Sequence, residues 1–196
     1  MRKRLFAWML EHLAQRHNRD LDPYKRALFT GLRGRVVEIG AGGGVNLPYL
    51  SADVEWIGVE PNAAFRPYID ARRHATAAQV RLAAGSAEAL PFDDGSVDAV
   101  ISTLVLCSVR DPAAALREVH RVLKPGGRFL FVEHVAAEPG SAHRRRQQWI
   151  RPCCAWLGDG CDPLRNTGVT IAATGFSRLR QSRFHVPAIP IFPHIE

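Results

Sequence analysis

From residue 35 onward, short apolar runs alternate with segments whose apolar positions recur at helical spacing. The runs are residues 35–39, 54–60, 79–83, 98–104 and 128–133. Apolar stretches of this length, rich in Val and Ile, mark strands buried on both faces. Between them, residues 61–75 and 112–123 suit helices. The second carries its own start and stop: Asp111 as a cap, Pro112 at the first helical position, and Lys124-Pro125-Gly126-Gly127 at the end. This alternation predicts an α/β fold, a doubly wound and mostly parallel sheet with helices on both faces. The strand order expected is 3-2-1-4-5, with the ligand crevice at the carboxyl ends of the strands. Residues 176–184 are expected to add a sixth strand beyond the fifth, the last residues entering antiparallel between them. Ahead of the first run, Leu5, Phe6, Met9, Leu10 and Leu13 fall at helical spacing and predict a helix packed over the domain.

The chain has 196 residues, 46% hydrophobic and 23% charged, which is one domain's worth with a full core. Its organisation reads as an N-terminal helical cap (1–34), a ligand-binding core (35–135) and a last segment of helices and final strands (136–196). No apolar run reaches the roughly 18 residues of a spanning helix. Arg2, Lys3 and Arg4 ahead of the apolar N-terminal stretch make peripheral contact with a membrane surface the alternative to packing over the domain. Cys107, Cys153, Cys154 and Cys161 form no CxxC pair and show no paired Cys/His spacing. That argues for no metal site and for reduced thiols in a cytoplasmic protein.

The net charge is +7, unevenly spread: nine basic against three acidic residues over 1–35, nine against twelve over 36–135, and eight against four thereafter. A nucleic-acid binder would show a basic stripe with interleaved aromatics, and the acidic middle segment does not. Nucleic acid is therefore not the expected partner. The sequence carries no signal of oligomeric state.

The turn after the first run reads Glu38-Ile39-Gly40-Ala41-Gly42-Gly43-Gly44-Val45-Asn46. Glycines there let backbone approach a ligand closely. A dinucleotide turn would place a third glycine where Val45 stands. Glu38 would also repel a pyrophosphate, whereas it can pair with an ammonium group or water near the turn. Glu60 ends the second run, placed to accept hydrogen bonds from ribose hydroxyls.

Together with Gly85-Ser86-Ala87-Glu88-Ala89-Leu90-Pro91-Phe92 and Leu123-Lys124-Pro125-Gly126-Gly127, these motifs resemble the class I S-adenosylmethionine methyltransferases over residues 34–135. The resemblance implies their Rossmann-like fold and S-adenosyl-L-methionine as cofactor. It implies Gly40, Gly42 and Gly44 about the methionine moiety and Glu60 on the ribose, with Glu38, Ala41, Asn46 and Pro61 also in the cofactor-binding set. Ser86 and Ala87 would lie beside adenine, with Thr103 and Leu104 after the fourth strand. Val105-Leu106-Cys107-Ser108-Val109, Phe131-Val132-Glu133-His134-Val135, Gln147-Gln148 and Asp159-Gly160-Cys161 resemble the alkyl thiol S-methyltransferase subfamily more narrowly.

That resemblance implies a small-molecule methyl acceptor, an apolar thiol or other soft nucleophile. The alternatives are N-, O- or C-methylation of a phospholipid head group, quinone or secondary metabolite, and a nucleic-acid-binding protein of the same fold. Ser102-Thr103-Leu104-Val105 stands where a base amino-methylase would carry an NPPY-like motif, which argues against the last. His134 is the candidate for accepting the acceptor's proton, or alternatively only orients its loop. Asp159 is a second catalytic candidate, although an aspartate before glycine more often makes a turn. Trp149, Ile150, Trp156 and Leu157 are expected to pack a helix over the acceptor pocket, with Cys107 at its border.

Overall fold

The computed structural model describes residues 2–185 and 194–195. Five strands form one sheet: β1 (Gly34–Ile39), β2 (Val54–Val59), β3 (Gln79–Ala83), β4 (Val97–Thr103) and β5 (Leu123–Val132). They are all parallel, in the order β3-β2-β1-β4-β5 that the alternation predicts. Alternate residues of the central strands feed two cores. Val37, Ile39, Ile57, Val59 and Val100 meet Leu116, Val119 and Val122 of α3 (Pro112–Val122) and Ile171 of α5 (Thr167–Ala172). Val36, Trp56, Ala99 and Ile101 meet Ile69 of α2 (Arg66–Arg72) and Phe29 of α1 (Arg2–Phe29) on the other face. Two-sided burial explains why these strands read as unbroken apolar runs.

Local signals hold in detail. The Asp111 carboxylate accepts from the Ala114 N–H at 3.0 Å and so caps α3. The segment 61–75 is less regular than a single helix: short 3₁₀ turns (Ala63–Phe65 and Arg73–Ala75) flank α2. β5 begins at once after α3, because Leu123 pairs with Val97 before the Pro-Gly-Gly segment shifts the register.

Two expectations need correction. No sixth strand runs through 176–183; Phe184–His185 (β6) instead pairs antiparallel with His194–Ile195 (β7) in a separate two-stranded sheet. Arg178, Arg180 and Arg183 interrupt any alternating apolar pattern there. Phe176 returns to the main sheet, stacking on Phe129 at 5.7 Å. The rest of the expected C-terminal pairing, residues 186–193, lies outside the described residues.

The N-terminal helix, in turn, is far longer than its first apolar stretch. α1 runs 28 residues and continues through Pro23, where one backbone hydrogen bond is lost. Burial of Leu21, Lys25 and Phe29 on one face holds it there. Its first half crosses the carboxyl ends of the strands. Phe6 meets Phe65 edge-on at 5.9 Å, the Asn62 amide donates to the Lys3 carbonyl at 3.1 Å, and Arg72 forms a two-point ion pair with Glu11. The side chain of Leu13, part of the expected apolar face, lies outside the described residues. No described helix is long and apolar enough to cross a membrane.

Candidate active site

A cavity of about 120 Å³ lies at the carboxyl end of β1, between the glycine turn, Phe65, Thr103, Leu104 and the roof formed by α1. A wider surface depression of about 860 Å³ occupies the opposite end of the sheet, around Gly31–Gly34 and Lys124–Arg128. Strand polarity decides between them, because ligands of open parallel sheets sit at the carboxyl ends.

Gly40 and Gly42 both adopt φ near +50°, a conformation costly to any residue with a Cβ. A Cβ at Gly40 would collide with Val105, whereas at Gly42 it would meet little beyond the Gly40 carbonyl, 4.0 Å away. Gly40 is thus required for packing, and Gly42 leaves open space. Leu104 also has φ of +59°, with its N–H donating to the Val132 carbonyl at 2.8 Å. That conformation costs about 1–2 kcal/mol in a non-glycine residue. It is paid at the cavity wall.

Polar groups converge on this turn. The buried Glu38 carboxylate accepts from the Asn46 amide and the Trp56 indole, both at 2.7 Å. Burial pushes its carboxyl up to about 7, held back by those two donors and by Lys25. Lys25 is itself 1% exposed and donates to Asn18 Oδ1 at 2.7 Å. Burial brings it down to about 8 against the pull of Glu38 and Asp22. The Asn46 amide also donates to Thr103 Oγ1 at 3.0 Å, while its buried Oδ1 finds no donor. Glu60 folds back to accept from the N–H groups of Gly42 (2.9 Å) and Asn62 (2.7 Å). Burial raises its carboxyl, and the nearby Asp159 adds to that rise.

The structure therefore brings Glu38, Gly40, Ala41, Gly42, Asn46, Glu60, Thr103 and Leu104 together around one crevice. Gly44 closes the turn behind it, accepting from the Leu47 N–H. Ser86 and Ala87 follow β3 on the same edge of the sheet but do not line the cavity; Ala87 is part of the core. Pro61 is exposed. Lys25 and Asn18 were missed by motif reading. Their signal was phase: Lys25 sits four residues after Leu21 and four before Phe29, on the apolar stripe of α1.

Beyond Leu104 lies a second, separately built region. The buried Glu133 carboxylate accepts from Ser102 Oγ (2.5 Å) and from the N–H groups of Val105 and Leu106 (3.1 Å each), fixing the loop after β4. That loop delivers Cys107, whose Sγ is 3.6 Å from the Leu104 carbonyl and 3.6 Å from Cys161 Sγ. Contact with Cys161 and burial push the Cys107 thiol up, while the adjacent His134 side chain pulls it back. The Thr167 hydroxyl donates to the His134 carbonyl at 2.9 Å and fixes that residue's backbone. Asp159, at φ +48°, pairs with Arg2 at 3.4 Å. So the two catalytic candidates differ: His134 sits against the cysteines, and Asp159 sits at the rim beside the N-terminus.

The aromatic expectation for α4 (Ala142–Leu157) fails. Trp149 is 84% and Trp156 64% exposed. The inward face is Gln147, which accepts from the Ala137 N–H at 2.9 Å, followed by Ile150 and Cys154. Trp149 and Trp156 are one heptad apart and share the outward face.

A parallel sheet with a glycine turn after its first strand, a carboxylate after its second and a crevice between them defines a doubly wound nucleotide-cofactor protein. Residues 37–131 match the family model of a methyltransferase domain. The chain is 34% identical to the human thiol S-methyltransferase TMT1B over 98% of its own length and 84% of that protein. Human thiol S-methyltransferase TMT1A is likewise 34% identical, over 94% of the chain and 80% of the relative. Among solved structures, the YcgJ protein of Bacillus subtilis superposes with a TM-score of 0.64 at 28% identity, covering 81% of this chain and 68% of that one. The chain belongs to the class I S-adenosylmethionine-dependent methyltransferases, close to the thiol S-methyltransferase branch, and S-adenosylmethionine is its methyl donor.

Proposed function

We propose that this chain methylates the sulfur of an apolar small-molecule thiol, in the cytoplasm. The observation carrying that reading is 34% identity to thiol S-methyltransferases over nearly the whole chain, a match that extends beyond the cofactor-binding core. The four free cysteines suit a reducing compartment.

The crevice fits the donor. Open space at Gly42, the orphaned Asn46 Oδ1 and the opposed charges of Glu38 and Lys25 match an amino-acid moiety with its ammonium and carboxylate. Glu38 and Asn46 would take the ammonium side and Lys25 the carboxylate. Gly40, Ala41, Gly42 and Gly44 shape the backbone around both. Glu60, with Pro61 beside it, would take the ribose hydroxyls, and Ser86-Ala87 the adenine edge. Thr103 and Leu104 border the reacting end. The donor supplies a sulfonium methyl that is already electrophilic. What remains for the protein is to align the acceptor, exclude water and remove the thiol proton. We assign the last task to the His134 side of the crevice and leave Asp159, bound to Arg2, at the rim.

A screen with labelled S-adenosylmethionine against apolar thiols, phenols, amines and phosphatidylethanolamine tests the acceptor. Labelled thioether as the main product is the expected result; methylated amine or phospholipid with inert thiols would replace this reading with head-group methylation. The basic first turn of α1, with Leu5 56% and Trp8 54% exposed, supports peripheral contact with anionic membranes. Co-sedimentation with anionic vesicles, lost on removing Arg2, Lys3 and Arg4 charges, checks it.

Glu38 also makes cofactor binding pH-dependent. Its folded pKa of about 7 lies above the ordinary carboxylate value, so its contribution to stability is full at low pH and is lost as pH rises through about 7. Lys25 acts oppositely: its contribution is lost as pH falls through about 8. The ligand-free chain therefore carries both penalties between those values. S-adenosylhomocysteine, whose ammonium and carboxylate answer both charges, should raise Tm more at neutral pH than at mildly acidic pH. Equal shifts would separate Glu38 from the ligand's ammonium.

A further inference from the structure

We propose that Cys107, His134 and Cys161 bind a divalent cation of the zinc class, leaving one coordination position for the sulfur of the acceptor. One ligand atom from each of the three residues lies within 4.8 Å of the others. The two sulfurs are 3.6 Å apart. Around a tetrahedral ion with metal–sulfur bonds of about 2.3 Å, the sulfur–sulfur edge is about 3.8 Å. The cysteine pair thus already stands near the required edge length. Two thiolates and a neutral imidazole offset a divalent charge in a partly buried setting, and the thiolate–imidazole mixture selects zinc-like ions over magnesium or calcium. Three protein ligands with one open position is the make-up of catalytic rather than structural zinc sites.

The three residues come from different segments, and each backbone is held by bonds that do not involve the ligand atoms. Glu133 fixes the loop bearing Cys107, Thr167 holds the His134 carbonyl, and the Asp162 N–H donates to the Cys107 carbonyl at 2.8 Å, tying down the Cys161 segment. Arg165 adds a hydrogen bond to the Leu106 carbonyl at 2.6 Å. A site whose ligands are positioned by their surroundings is preorganised for an ion. Its location also fits: Leu104, whose carbonyl touches Cys107 Sγ, lines the cofactor cavity.

This inference rests on the thiol reading and deepens it. The acceptor R–SH forms a sulfur–metal bond as its proton leaves to solvent. A sulfur electron pair then forms the new carbon–sulfur bond while the donor's methyl–sulfonium bond breaks. The products are R–S–CH₃, the demethylated thioether and one proton. His134 takes part as a ligand that holds the ion, and the bound ion lowers the pKa of the acceptor thiol so that its proton is lost to solvent.

The full-length chain, reduced and stripped of metal, would be titrated with zinc and separately with cobalt(II). The expected result is about one ion per chain, with the intense visible bands of tetrahedral cobalt and near-ultraviolet thiolate charge transfer. Cys107→Ser and Cys161→Ser should each abolish the charge-transfer signature, whereas Cys153→Ser and Cys154→Ser should leave it. Adding an apolar thiol should shift the cobalt bands. S-adenosylhomocysteine binding by each variant verifies its fold. Less than a tenth of an ion per reduced chain, or cobalt bands surviving in the Cys107→Ser/Cys161→Ser double variant, overturns the site. Metal-free chain that still methylates thiols removes the ion but not the thiol reading; bound ion with no thiol turnover removes the thiol reading but not the ion.

Discussion

Replacing His134 with alanine is expected to lower turnover on a thiol roughly 10²-fold while leaving affinity for S-adenosylhomocysteine unchanged. The magnitude follows from the acceptor's own chemistry. A thiol of pKa about 8.5 is only about 3% thiolate at neutral pH, so full ionisation is worth about 30-fold. Positioning of the sulfur supplies the rest. Cofactor affinity should hold because His134 packs against Cys107 and Cys161, while the cofactor crevice is lined by α1, the glycine turn and Leu104. Single-turnover rates, calorimetry and Tm on the same sample check the claim. A variant with reduced Tm but unchanged turnover per folded molecule would make His134 a structural residue.

The second large effect is on the cofactor itself. Glu60→Ala should weaken S-adenosylhomocysteine binding by about 2 kcal/mol, roughly 30-fold, since a charge-assisted acceptor for two hydroxyls is removed. The same change strips partners from the Gly42 and Asn62 N–H groups, so part of the loss reflects a looser turn. Glu60→Gln, which keeps an acceptor but not the charge, should fall between wild type and alanine. NAD should not bind either protein, because Val45 occupies the place of the third dinucleotide glycine. Calorimetry reading an unchanged affinity for the alanine variant would remove Glu60 from the ribose.

Sequence alone determined those parts of this protein whose physics is local. Val and Ile runs bounded by turn residues define strands buried on both faces, and Asp111-Pro112 starts a helix whatever lies around it. The glycine turn was legible because left-handed backbone and close approach both demand glycine, with Glu38 just ahead of it and Glu60 at the end of the next strand. Tertiary structure decided what depends on distant segments meeting. Lys25 reads as one more surface cation until α1 is laid across the sheet and buries it four residues from Leu21 and Phe29. Trp149 and Trp156 read as pocket residues until Gln147 fixes the rotation of α4 and turns them outward. Cys107, His134 and Cys161 are 27 residues apart on either side, a spacing that matches no ligand motif. Parallel strands bring the loops after β4 and β5, which carry Cys107 and His134, to one edge of the sheet, and the backbone bond from Asp162 to Cys107 holds Cys161, from the segment after α4, against them.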